Sequence, residues 1–168
     1  MSPESDLQPT QSAKLVLSLV LPVFNEEQVV SVFLDRIEPI AQELRGRVDR
    51  VEIVFVDDGS TDRTVDRIIS RTSDVLDIQI IKLSRNFRKD NALAAGLAHA
   101  KGDAVIPMDV DLQDPPELIP QMVDAWLNGA KVVNAKRSSR DTDSALKRFS
   151  SRAFYKIFNR LSDFHVEH

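Results

Sequence analysis

The chain has 168 residues, 42% of them hydrophobic and 29% charged, which suits one domain with a real core and is too short for two. Its 22 Lys and Arg against 26 Asp and Glu leave a formal charge of -4, arguing against a dedicated nucleic-acid binder. The count of zero cysteines excludes a disulfide framework, a thiolate metal site, an iron–sulfur cluster and a cysteine nucleophile together, and His99, His165 and His168 lack metal-ligand spacing.

Residues 1–13 are polar, contain Pro3 and Pro9 and show no periodicity, so they read as a flexible leader. They carry Glu4 and Asp6 and no apolar h-region, which is not a secretory signal. No run approaches the ~18 apolar residues of a membrane span, so the expected compartment is the cytoplasm. The apolar run Leu15 to Leu21, ended by Pro22, predicts a buried strand. From Glu26 to about Leu44 the spacing of Val29, Val32, Phe33, Ile37, Ile40 and Leu44 predicts a helix. Strands follow at 51–56, 78–83, 103–108 and 131–135, alternating with helices at 61–70, 91–100 and 116–126. Near-continuous apolar strands alternating with helices predict an α/β fold, a mostly parallel sheet covered by helices on both faces. A ligand then belongs at the loops after the strand ends. Each chemically suggestive segment falls there, after Leu21, Val56, Leu83 and Met108.

Asp109 and Asp111 leave a strand end two residues apart, so their carboxylates point the same way. That pair suits Mg²⁺ or Mn²⁺, with Gln113 able to add an amide oxygen. The same residues also suit a solvated acidic turn with Asp114 capping the next helix. Asp57-Asp58-Gly59-Ser60-Thr61-Asp62 reads as a strand-to-helix turn capped by Ser60 or Thr61, or as a nucleobase contact through Asp57. Asn25 suits an N-cap with Glu26 and Glu27 in the first helical turn, or a loop beside a nucleotide.

In order, Pro22-Val-Phe-Asn-Glu-Glu27, Val56-Asp-Asp-Gly-Ser-Thr-Asp62, Leu83-Ser-Arg-Asn-Phe87 and Met108-Asp-Val-Asp-Leu-Gln-Asp-Pro-Pro-Glu117 resemble family 2 glycosyltransferases with the GT-A (Rossmann-like) fold. The likeness is greatest to the polyprenyl-phosphate (bactoprenol) glucosyltransferases and their dolichol-phosphate mannose synthase relatives, and runs from about Leu15 to Leu161. It implies inverting transfer of a hexose from a nucleotide sugar, UDP-glucose, to a polyprenyl phosphate. It further implies that Pro22, Phe24, Glu26, Asp57 and Asp58 frame the nucleoside, and that Arg85 and Asn86 sit in the donor-side loop. Asp109 and Asp111, with Gln113, would hold the cation, Asp109 being partly directed to the donor. Asp111 and Arg137 are the implied catalytic groups, with Arg137 and Arg152 on the acceptor phosphate. Arg88 stands where relatives often carry Gly. Relatives continue past the equivalent of His168 with an acceptor-side segment and membrane helices, so the chain is expected to be an N-terminal part of such an enzyme.

The resemblance divides the chain into a leader at 1–13, a nucleotide-sugar-binding domain at 14–137 and a basic acceptor-facing segment at 138–168. Residues 145–161 predict one amphipathic helix. Leu146, Phe149, Ala153, Ile157 and Leu161 share a face, and Arg148, Arg152, Lys156 and Arg160 form a cationic row. That helix is expected to meet an anionic membrane surface, placing the protein peripherally on the inner face of the cell membrane. A homo-oligomer stays open. So do a soluble family 2 enzyme acting on a saccharide hydroxyl, a nucleotide-binding fragment and a phosphoacceptor signalling domain. The last normally carries its acidic pair after the first strand, whereas here the pair follows the second.

Overall fold

The computed structural model describes residues 14–135. Strand β1 (Val16–Val23) and strand β2 (Arg50–Asp57) pair in parallel, in register from Val16↔Arg50 to Val23↔Asp57. Strand β3 (Leu76–Lys82) adds to β2 from Val51↔Leu76, and β4 (Ala104–Pro107) adds to the other side of β1 from Leu17↔Ala104. The order is therefore β3-β2-β1-β4, all parallel. Chain order reverses direction at β1, so the crevice between the carboxyl ends of β1 and β4 is the switch point where such sheets take ligands.

Helices α1 (Val30–Glu43), α2 (Thr64–Ile69) and α3 (Lys89–His99) connect the strands, and α4 (Ile119–Leu127) follows β4, entered by a 3-10 turn at Pro116–Leu118. Because side chains alternate along a strand, Leu17, Leu19, Leu21, Val51, Ile53 and Phe55 share one face of the sheet. There they meet Val30, Phe33, Leu34 and Ile37 of α1 with Ile119 and Val123 of α4. Phe33 stands edge-on to Phe55, centroids 6.4 Å apart. On the other face Val20, Val54 and Val56 pack against Ala92 of α3. Small residues let α3 approach closely: a Cβ on Gly96 would lie 2.4 Å from Val20 Cγ1 and 2.8 Å from Val56 Cγ2. Helices thus cover both faces, as the alternation predicts.

Toward the amino ends of the strands the fully buried Glu52 carboxylate collects donors from three other segments. The Ser18 hydroxyl bonds it, the Gln79 amide donates at 2.7 Å and the Lys101 N–H at 3.0 Å, while Gly102 N–H donates to Ser18 Oγ at 2.9 Å. This satisfied polar network fastens the α3–β4 connection to the sheet floor.

Several boundaries differ from expectation. β1 continues through Pro22, which is opposite Val56. Val20 accepts the Met108 N–H, so Pro22, two residues on, has its missing N–H on the β4 side, where β4 has already ended. α1 starts at Val30 rather than Glu26, because the backbone N–H groups of residues 25–27 bond to the β2 loop. α2 is shorter than 61–70 for the reciprocal reason. Pro115, rather than Asp114, holds the N-cap position of the 3-10 turn, and it makes no side-chain cap bond. Residues 131–135 form no strand: Val132 is 78% exposed, and two valines between Lys131 and Asn134 bury too little to hold an edge. One compact unit closes at Val133. The leader at 1–13 and the basic segment at 138–168, with its helix at 145–161, lie outside the described residues, as do Lys136, Arg137 and Arg152. Among the described residues, no helix is long and apolar enough to cross a membrane.

Candidate functional site

The loops after β1 and β2 are stitched together by the polar side chains of their own motifs. Asn25 takes a left-handed backbone (φ 56), which aims its amide oxygen across the gap to accept the Thr61 N–H at 2.8 Å. In return Ser60 Oγ accepts the Asn25 N–H at 2.9 Å, and Thr64 Oγ1 accepts the Glu26 N–H at 2.7 Å. Asp62 Oδ2 accepts the Glu27 N–H at 3.1 Å, and Glu27 Oε2 accepts the Arg63 N–H at 3.0 Å. Asp62 also takes the amide (2.9 Å) and hydroxyl (2.5 Å) of Thr64. Burial works to raise the Asp62 pKa, but the Thr64 and Glu27 donors outweigh it and hold the carboxyl below its ordinary value. The caps predicted for α1 and α2 therefore exist as bonds between loops rather than within helices.

The β3 loop docks on the same scaffold. Gly59 (φ 82) allows it: a Cβ there would lie 2.9 Å from the Arg85 carbonyl carbon. Asp58 Oδ1 accepts the Phe87 N–H at 2.6 Å, and the Arg85 guanidinium lies 4.9 Å from the centre of the Phe87 ring. Arg88 caps α3 at φ 74, ψ 156, a region that glycine favours and that costs other residues about 1–3 kcal/mol. With Leu112 (φ 60) in the β4 loop, every strand-end loop contains one left-handed residue: Asn25, Gly59, Arg88 or Leu112.

These loops enclose a cleft of about 390 Å³ at the carboxyl ends of the strands. Pro22, Phe24, Glu26, Asp58, Asn86, Asp109 and Asp111 line it, all expected from sequence, together with Arg88 and Lys89. Partial burial first, then the carboxylates of Asp111, Asp62 and Asp109, push the Glu26 carboxyl above its ordinary pKa. Lys89 Nζ lies 2.6 Å from Asp109 Oδ2, and chiefly this bond raises the Lys89 pKa. Sequence reasoning missed Lys89; the signal available was a cation opening a helix behind a strand-end loop.

Other expected residues fall elsewhere. Asp57 is 2% exposed and is not among the cleft's lining residues, its Oδ1 accepting the Ser60 N–H at 3.0 Å. Arg85 stacks on Phe87 outside the lining. Gln113 is exposed and donates its backbone N–H to Asp111 Oδ1 at 3.0 Å. Among the described residues, no three His, Cys, Asp or Glu side chains gather into a cage for a metal. Asp109 and Asp111 nonetheless fit a hard divalent cation that takes one or two carboxylates and completes its shell with phosphate and water. Each keeps one carboxylate oxygen outside the bonds just described.

The sequence profile described as Glycosyl transferase family 2 matches residues 18–167. The bactoprenol glucosyl transferase of Shigella phage SfV is 50% identical over 153 residues, covering 90% of this chain and 48% of its own length. The chain thus spans about half the length of the curated relatives it matches. Among solved structures, the mannosyltransferase PcManGT from Pyrobaculum calidifontis in complex with GDP-Man and Mn²⁺ superposes with a TM-score of 0.50. It is 26% identical, over 66% of this chain and 36% of that one. The mannosyl-3-phosphoglycerate synthase from Rubrobacter xylanophilus shares the fold, with a TM-score of 0.59 and 20% identity over 87% of this chain and 48% of that one.

Proposed function

The chain belongs to glycosyl transferase family 2 and has the GT-A fold, and from that membership we propose that it is the donor-binding part of an inverting enzyme that moves glucose from UDP-glucose to a polyprenyl phosphate. The observation that carries the reading is the convergence of Glu26, Asp58, Asp109 and Asp111 on one cleft at the sheet's switch point. The similarity to a bactoprenol glucosyl transferase supports the acceptor, and the GDP-Man and Mn²⁺ held by PcManGT support a nucleotide sugar with a divalent cation.

Asp109 and Asp111, with Gln113, would hold Mg²⁺ or Mn²⁺. When bound, the cation stabilises the negative charge that develops on the departing nucleoside diphosphate. The stitched β1 and β2 loops hold Glu26 and Asp58 in place for the nucleoside without reorganisation on binding. Asp57 sits behind them at the base of the same loop, where its bond to the Ser60 N–H fixes the turn that presents Asp58. A phosphate acceptor needs no general base, because its second pKa is about 6 and it is largely anionic at neutral pH. It needs cationic positioning, which we assign to Arg137, with Arg152 as a second contact. The basic helix at 145–161 would bring this mouth to the inner face of the cell membrane.

Calorimetric titration with UDP, GDP and UDP-glucose, with and without Mn²⁺, tests the reading. UDP should bind more tightly than GDP, and Mn²⁺ should strengthen it. Asp111→Asn should lose the Mn²⁺ gain and keep the metal-free affinity for UDP. Equal binding of UDP and GDP would overturn the base choice, and no binding of either would overturn the reading as a whole.

A further inference from the structure

A cation already sits among the carboxylates of the cleft. Lys89 opens α3, immediately after the strained Arg88, and its ammonium lies 2.6 Å from Asp109 Oδ2. Asp109 is one of the two groups assigned above to the divalent cation, so Lys89 and the metal compete for the same carboxylate. The pair is also a partition. Pro22, Lys89 and Asp109 line both the 390 Å³ cleft and a neighbouring pocket of about 140 Å³ that reaches Leu93 and Met108.

The cleft lining sets four carboxylates, Glu26, Asp58, Asp109 and Asp111, against two cations, Arg88 and Lys89. A diphosphate entering without metal meets a net negative wall. A metal entering without diphosphate meets an Asp109 carboxylate already paired with Lys89 and stands beside that ammonium's positive charge. Arriving together, the two ligands resolve both conflicts. We propose that Lys89 is a tethered cation that holds Asp109 in the empty cleft and passes to a phosphate oxygen of the nucleoside diphosphate when the metal takes the carboxylate, which makes metal and nucleotide bind cooperatively. This rests on the nucleotide-sugar reading above. Lysine suits the task, being a compact charge on a flexible stem with no fixed fork geometry. Its side chain is 62% exposed, and an exposed pair is weak enough to be displaced. Because such coupling is reciprocal, Mn²⁺ tightens UDP by the same factor as UDP tightens Mn²⁺.

The test measures Mn²⁺ alone, from the electron-spin signal of the free ion, and UDP by calorimetry at saturating Mn²⁺, on the full chain. Lys89→Met keeps the stem and removes the charge; Lys89→Gln serves if Met does not fold. Mn²⁺ alone should tighten about two- to fivefold, the range for releasing an exposed ion pair. UDP at saturating Mn²⁺ should weaken about tenfold, as for the loss of a charged hydrogen bond. Lys89→Arg should restore the native Mn²⁺ affinity. Opposite movements of the two affinities separate this role from a damaged cleft, which would weaken both. Unchanged or weaker Mn²⁺ binding in Lys89→Met, beside normal UDP binding by the native chain, would overturn the proposal and leave the nucleotide-sugar reading standing. A native chain that takes Mn²⁺ but no UDP would overturn that reading and the passage of Lys89 to phosphate with it.

Discussion

Asn25, Glu27, Ser60, Asp62 and Thr64 use their polar atoms on the backbone of the neighbouring loop, and that leaves Glu26 as the carboxylate of the first motif that faces the cleft. Its position among other carboxylates carries a cost. Partial burial and three nearby carboxylates raise its pKa in the folded protein, so the folded state keeps this proton to a higher pH than the unfolded chain does. Stability contributed here therefore falls as pH rises from about 4.5, the unfolded value, through the higher folded one. Glu26→Gln should raise the melting temperature of the ligand-free protein at pH 7 and leave it nearly unchanged near pH 4. Scanning calorimetry at the two pH values checks this. A variant less stable than the native protein at pH 7 would show that the carboxylate is held by favourable bonds.

At the scale of elements, the contrast between the two sheet faces comes from side-chain size. α1 presents Phe33, Leu34 and Ile37 to the sheet, whereas α3 presents Ala92 and Gly96 and lies close against the Val20 and Val56 side chains. Gly96→Ala should cost up to about 2 kcal/mol: overpacking of about 1–3 kcal/mol against Val20 and Val56, offset by about 1 kcal/mol from the better helix propensity of alanine. A urea denaturation midpoint measures it, and a net gain in stability would mean that α3 is free to back away. The element pattern was legible because β1 and β2 are long apolar runs and α1 has a clear helical period. Helix starts were not, because Asn25 and Asp62 bond across loops that are distant in sequence, and no local rule separates an N-cap from a stitch between loops. The cleft was legible through its acidic residues, which sit at strand ends. Lys89 was not, since a lysine at a helix start is ordinary until its partner Asp109 is known. The setting of Asp57 behind the lining was hidden for the same reason: two adjacent aspartates look alike until Ser60 takes one and Phe87 the other.

For the whole described unit, Glu52 is the knot that joins β1, β2, β3 and the α3–β4 connection. Glu52→Ala would strand the Ser18, Gln79 and Lys101 donors at about 1–3 kcal/mol each. A loss of more than about 3 kcal/mol is expected in urea unfolding, with Glu52→Gln milder; a loss under about 1 kcal/mol would mean that water replaces the carboxylate freely. The sheet order has a further consequence in time rather than in energy. β1 is one of the two inner strands, yet its partner Ala104 lies 87 positions after Leu17, and even Val51 on β2 is 34 positions away. On a ribosome adding 5–20 residues per second, the leucine-rich β1 waits roughly 4–17 s for its second neighbour. Throughout that interval an apolar strand has an open edge, so the chain's yield on synthesis should depend on translation speed and chaperone supply more than the finished sheet suggests.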